Sequence, residues 1–200
     1  MKRKPDSRTK VRLILVAAIA TGALILVAVA GTFSGEGTRG QIQGSFSLAE
    51  AQAFKAFPVY NAGDEVAGLS LAATHRRADS ADFVSFIYGT CYNPTGDACA
   101  PPAEVQNWPA CRRHLGLYKG PYSPVPEPTT VRGAPAAFFE GGRRLEIQTG
   151  RSTVVVFARE RSEALEIAEA LRGVNVPTTD GDPLPRPAPG ALTGAVACSP

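Results

Sequence analysis

A run of 18 uncharged, mostly apolar residues, Leu13 to Ala30, sits behind a basic head and withdraws the first part of the chain from any water-facing core. A spanning helix needs about 20 apolar residues, and Val11 to Ser34 holds only Arg12 as a charge, so the length suffices for one crossing. The head carries Lys2, Arg3, Lys4, Arg8, Lys10 and Arg12 against Asp6 alone, a balance that holds it on the cytoplasmic side. The predicted organisation is a basic head (1–12), a transmembrane anchor (13–34), a flexible linker (35–46), an exported domain (47–174) and a Pro-rich tail (175–200). A cleaved secretory signal is the competing reading, since Ala28-Val29-Ala30 offers small residues at cleavage spacing. Length favours the anchor, because signal-peptide apolar regions run about 7 to 15 residues. Both readings export residues 31–200, and no cysteine lies near the end of the apolar run to take a lipid.

Charge follows from that division. The chain has 21 basic and 18 acidic residues, and the head accounts for six of the former and one of the latter, which leaves 15 against 17 in the exported part. Phosphate backbones are bound by clustered basic surface, so nucleic acid is not an expected partner. With anchor and flexible ends removed, roughly 125 residues remain, enough for one domain with one core.

All four cysteines, Cys91, Cys99, Cys111 and Cys198, fall in the exported part. In an oxidising compartment an even count reads as disulfides, with three connectivities open. Cys91 and Cys99 bracket a Pro- and Gly-containing reversal, which favours pairing them with each other. Cys111 then takes Cys198 and ties the tail to the domain; the alternative leaves Cys198 free or joins two chains.

Gly31 to Gly44 is Gly-rich and reads as a spacer. Ser47-Leu48-Ala49-Glu50 is a capping box that opens a predicted helix from Leu48 to about Phe57, stopped by Pro58. Gly68–Thr74, Phe83–Tyr88 and Glu104–Trp108 are strand-like. Ala136–Glu140, Arg143–Gln148 and Thr153–Ala158, separated by Gly141-Gly142 and Thr149-Gly150-Arg151-Ser152, predict a meander. Ser162–Arg172 returns to helical spacing and Gly173 can end it. Beyond Pro177, repeated Pro and Gly predict an extended, largely uncored tail. The expected fold class is α+β: an antiparallel sheet of about five to seven strands with two flanking helices.

Little in this pattern points to catalysis. His75 and His114 are the only histidines, and no serine sits in a nucleophile elbow. Cys99, Cys111 and His114 have metal-ligand chemistry without paired ligand knuckles, so no metal is expected, nor any cofactor. Three basic pairs, Arg76-Arg77, Arg112-Arg113 and Arg143-Arg144, are candidate anion-binding residues if the sheet brings two of them together. Otherwise each pair marks an exposed turn or strand end. Trp108, Tyr88, Phe83, Phe86, Phe138 and Phe139 are read as core, with an apolar ligand groove as the alternative.

Phe57-Pro58-Val59-Tyr60, Gly68-Leu69-Ser70-Leu71, Phe86-Ile87-Tyr88-Gly89-Thr90-Cys91 and Val131-Arg132-Gly133-Ala134-Pro135-Ala136 through Ala170-Leu171 resemble a group of uncharacterised single-pass exported proteins of GC-rich Gram-positive bacteria. The use of 16 Arg against 5 Lys agrees with such a source. The order of elements is also similar to an extracytoplasmic domain of unknown function found in anti-sigma-factor-like and lipoprotein-carrier-like proteins. That resemblance covers residues 47–173, rests on packing and turn residues, and implies no catalytic ones. Anti-sigma activity is not expected, because only the short head precedes the membrane. The expectation is a non-enzymatic envelope module for sensing, binding or assembly, with an envelope protein or an apolar ligand as partner. The alternative is a lipid-carrying domain or a small enzyme.

Overall fold

Alternation of apolar and polar residues along successive short runs builds most of the domain. In the computed structural model, residues 46–79, 81–90, 100–118 and 124–198 are described. Among these residues ten strands form: β1 (Tyr60–Asn61), β2 (Glu65–Val66), β3 (Leu69–Arg77), β4 (Phe83–Tyr88), β5 (Ala103–Pro109), β6 (Glu127–Val131), β7 (Ala134–Phe139), β8 (Arg144–Thr149), β9 (Ser152–Phe157) and β10 (Arg172–Gly173). Eight of them make one antiparallel sheet in the order β2-β3-β4-β5-β9-β8-β7-β6. Two four-stranded meanders are thus joined along β5 and β9, and β1 pairs separately with β10. Among the described residues, two α-helices, α1 (Leu48–Ala53) and α2 (Arg161–Glu169), accompany the sheet.

One sheet face carries Val84, Phe86, Tyr88, Val105, Phe138, Leu145, Ile147, Val154 and Val156. Ala51 of α1, Ala164, Ile167 and Ala168 of α2, and the connecting Phe54 and Phe57 close over it as a single apolar cluster. These positions alternate along each strand because successive side chains point to opposite faces. On β5 the pattern is regular: odd-numbered residues from Ala103 to Pro109 are buried and the even ones partly exposed.

Four expectations need correction, and the first is sheet size: eight strands rather than about five to seven, because β2 and β6 add an edge at each end. α1 keeps the predicted capping box, in which Glu50 Oε2 accepts from Ser47 N at 2.7 Å, yet it ends at Ala53 rather than near Phe57. Asn175 is the reason: its side-chain amide donates to the carbonyls of Phe54 and Phe57 at 2.8 and 2.9 Å, which holds that stretch extended. β6 was not expected, because Pro128 and the exposed Glu127 read as loop; a strand tolerates proline where it lies at a sheet edge. The tail is not uncored. Thr178, Leu184 and Ala191 are buried, and Leu184 N donates to Arg132 O at 2.9 Å while Ala188 N donates to Gly150 O at 2.7 Å.

The tail docks where two turns cross the end of the sheet. Between β6 and β7, Arg132 and Gly133 both have positive φ, 48° and 82°, as a two-residue hairpin requires. That backbone aims the Arg132 guanidinium at the end of α2 and the tail, where it donates to the carbonyls of Glu169, Leu171, Thr179 and Asp182. Helix-end carbonyls that lack an intrahelical partner are satisfied in this way.

The predicted head, anchor and Cys91–Cys99 pairing lie outside the described residues. Among the described residues, no helix is long and apolar enough to cross a membrane.

Candidate functional site

The sheet face opposite the helices is polar and aromatic. Register places Phe83 beside Trp108, then Thr153 and Gln148, in one row. Ser85, Gln106, Val155, Glu146 and Ala137 form the next row, and Glu104, Phe157, Arg144 and Phe139 a third. Over the β8–β9 half lies the segment Ala110–Tyr118, which leaves β5 with the tail-bearing chain and covers residues that a bare sheet would expose. Thr153, Val155, Glu146 and Gln148 are in consequence fully buried.

Glu146 is the centre of this arrangement. Its carboxylate is inaccessible, and Arg113 donates to it at 2.5 Å and Tyr118 Oη at 2.8 Å. Arg144 stands at 3.3 Å from the same oxygen without hydrogen-bond alignment and pairs with Glu140 at 2.7 Å. The Arg144 guanidinium also lies over the Phe139 ring at 4.7 Å, and Tyr118 packs against Phe139 with centroids 4.6 Å apart. A buried carboxylate is tolerated only when paired and hydrogen-bonded, and here it has both. Burial works against the Arg113 charge, but the hydrogen bond and the charge of Glu146 outweigh it and lift the guanidinium above its ordinary value.

Next to this cluster, Trp108 is stacked on Phe83 at 4.6 Å and has Arg113 over its ring at 5.1 Å. Its indole N–H donates to Gln106 at 2.9 Å. Gln106 in turn donates to Glu104 at 2.9 Å, and Ser85 donates to Glu104 at 2.5 Å. A continuous polar and aromatic strip therefore runs from Ser85 to Tyr118, buried at its Glu146 end and partly exposed at Phe83, Glu104, Gln106 and Trp108.

The three arginine pairs do not act as pairs. Arg76 sits 3.6 Å from Asp82 and over the Phe54 ring, and Arg77 pairs with Asp79. Arg112 is exposed while its neighbour Arg113 turns inward; Arg143 is exposed and donates to the Glu140 carbonyl, while Arg144 turns inward. Two of the pairs thus send one guanidinium each to a single anion, and that anion is Glu146 of the same chain. Sequence reasoning missed Glu146, which lies in an alternating strand and carries no mark of its own. Arg144 at a strand start, with that strand's one acid, Glu146, two residues on and so on the same face, was the available signal.

The two histidines are held apart. His75 is on β3 and faces Ser85 across the strand pair, whereas His114 lies in the Ala110–Tyr118 segment, with β4, β5 and β9 between β3 and β8. Cys111 is paired with Cys198, with Cα atoms 5.5 Å apart, so its thiolate is not available as a ligand. Among the described residues, no three His, Cys, Asp or Glu side chains converge as a metal cage. A groove of about 480 Å³ lies elsewhere, beside α2, lined by Ala67, Arg159, Glu160, Ser162, Glu163 and Glu166. Glu163 there is already paired with Arg159 at 2.5 Å, which holds its carboxyl below the usual range.

Alkaline titration reads this burial directly. Desolvation, reinforced by the Glu146 charge, pushes Tyr118 up to about 12, and desolvation raises Tyr60 and Tyr88 as well. An unfolded tyrosine loses its proton near pH 10, where these folded phenols keep theirs, so the stability they contribute is complete below about pH 10 and declines as pH rises toward 12. Phenolate absorbance should therefore lag behind that of free tyrosine and then rise together with loss of the fold. Ionisation of all five tyrosines near pH 10 with the fold intact would contradict the buried environments.

No family model, characterised protein or solved structure matches this chain.

Proposed function

We propose that the protein is a membrane-tethered, extracytoplasmic binding module without enzymatic activity, and that it meets its partner through the Phe83–Trp108–Arg113 part of the sheet face. The observation that carries this reading is the strip itself. It places Trp108 stacked on Phe83 and Arg113 over the Trp108 ring on a partly open surface, beside hydrogen-bonding Gln106 and Glu104; Trp and Arg are among the residue types that dominate binding energy at protein interfaces.

Two other modes of binding are less well supported. Strand addition needs a free edge, but β2 is two residues long and β6 carries Pro128 and Glu127, both features that blunt an edge. A lipid carrier needs a cavity between sheet and helices, and that space is filled by Phe54, Phe57, Phe86, Phe138, Ile167 and their neighbours. The membrane tether rests on the Leu13–Ala30 run and the basic head, and the Cys111–Cys198 bond supports an oxidising compartment. The sequence resemblance to single-pass exported proteins agrees with both.

A photo-crosslinking amino acid placed at Gln106 of the full chain in living cells should give discrete higher-mass adducts. The same group at Glu166, on the exposed side of α2, should not. Equal labelling from the two positions, or none from Gln106, would remove this face as the interface. Protease added to intact cells should cut the domain, and protection until lysis would overturn the extracytoplasmic placement.

A further inference from the structure

The segment Ala110–Tyr118 is held from two sides. Its sheet side is pinned by Arg113 and Tyr118 on Glu146, by Leu115 N donating to Gln148 at 3.3 Å, and by Thr153 donating to Arg113 O at 2.5 Å. Its outer side is pinned by the last residues of the tail. Cys198 bonds to Cys111 across a separation of 87 residues, and Gly194 lies so close to His114 that a Cβ there would stand 2.4 Å from Nε2. Leu192 O packs onto Gly116 in the same manner, at 2.7 Å from where its Cβ would be. The imidazole Nδ1 of His114 is buried beneath this strap and has no hydrogen-bond partner.

The disulfide that fastens the strap is unlike a buried structural bridge. Cys198 is exposed and Cys111 half-buried. Two crevices adjoin it, one of about 30 Å³ bordered by Arg112 and Cys198, the other of about 10 Å³ bordered by Cys111 and Arg151. Arg151 is held there by donating to Ala197 O at 2.7 Å. Cationic neighbours stabilise a departing thiolate, and exposure admits an attacking one; exchange is fastest when both hold.

We propose that Cys111–Cys198 is a thiol-exchangeable latch, with Cys198 the attacked sulfur and Cys111 the leaving thiolate, and that opening it frees the strap and loosens the Arg113 side of the binding face. A thiolate of a small or protein thiol attacks Cys198 Sγ; the S–S bond breaks, its electron pair leaves on Cys111, and a mixed disulfide forms on Cys198. A second thiol attacks the outer sulfur of that mixed disulfide and releases Cys198 as a thiolate. The protein disulfide has then gained two electrons and two protons, and two external thiols have become one disulfide. The exchange step stands on the disulfide and its surroundings alone, whereas its effect on binding rests on the reading of the Phe83–Trp108–Arg113 face.

Two readouts on the oxidised full-length protein separate those parts. Brief treatment with reduced glutathione, acid quench and peptide mapping should find glutathione on Cys198 and a free thiol at Cys111. An adduct on Cys111, or a bond that resists glutathione until the protein is denatured, would overturn the latch. After millimolar dithiothreitol, backbone amides of 190–198 and 110–118 should exchange faster by more than about tenfold while those of β8 and β9 stay protected. Trp108, the single tryptophan, should shift its emission as Arg113 moves off its ring. Reduction with unchanged exchange and emission would leave a labile bond but refute its coupling to the face. Should reduction destabilise the whole domain, the Cys111→Ser/Cys198→Ser variant gives the same comparison at equilibrium, and loss of β8 and β9 protection there would refute a local latch.

Discussion

Replacing Asn107 with alanine should lower stability by about 3 to 5 kcal/mol, because it takes a hydrogen-bond partner from three buried backbone groups at once, Tyr60 N, Tyr60 O and Val84 O. Asn107 is on β5 and is fully buried on the helix-facing side. Its carbonyl oxygen accepts from Tyr60 N at 2.8 Å, and its amide donates to Tyr60 O at 2.8 Å and to Val84 O at 3.4 Å. One side chain thereby serves Tyr60 as a neighbouring strand would, at a place where β1 has only β10 beside it. Each buried polar group left unpaired costs about 1 to 3 kcal/mol, and the cavity adds to this. The denaturant midpoint measures the loss. A change below about 1 kcal/mol would mean that water or a shifted backbone satisfies Tyr60 instead.

Truncating Glu146 to alanine should cost about 3 kcal/mol, because it leaves Arg113 among buried groups without its counter-charge. Arg144 keeps Glu140 and is less affected. The sharper form of this expectation is a double substitution. Arg113→Met with Glu146→Leu should recover most of the loss, since an apolar pair of similar volume avoids desolvating either charge. A double variant as unstable as the sum of its singles would show that the two residues contribute independently. The same double variant removes the guanidinium from Trp108 and should abolish crosslinking from Gln106 if Arg113 belongs to the interface.

The longer strands were legible because their pattern is local. Phe83–Tyr88, Arg143–Gln148 and Thr153–Ala158 alternate or are rich in β-branched and aromatic residues, and each forms a strand within a residue or two of the expected ends. The Cys111–Cys198 pairing could be anticipated from cysteine count and placement. What escaped depends on partners distant in sequence. Asn107 meets Tyr60 47 residues away, and Arg113 meets Glu146 33 residues away; in each case an ordinary polar residue becomes significant only when the sheet brings its partner to it. Asn175 likewise overrides the helix-forming tendency of the residues after Ala53 from more than 100 positions downstream. β1, β2 and β10 are too short for any periodicity to appear. The tail misled because proline content announces an extended backbone but says nothing about whether Leu184 finds a pocket.

The joining of β5 to β9 also sets an order of events during folding. Among β6, β7, β8 and β9, neighbouring strands are linked by short turns and meet at little entropic cost, whereas β5 must wait until the whole chain from Pro109 to Ser152 has been gathered. Within the eight-stranded sheet the seam is therefore the pairing of greatest sequence separation, and the β6–β9 half-sheet precedes it. Cys111 leaves β5 directly at that seam, and its partner lies 87 residues further along the chain. Oxidation of this pair consequently marks chains in which the tail has been carried back to the β5–β9 seam.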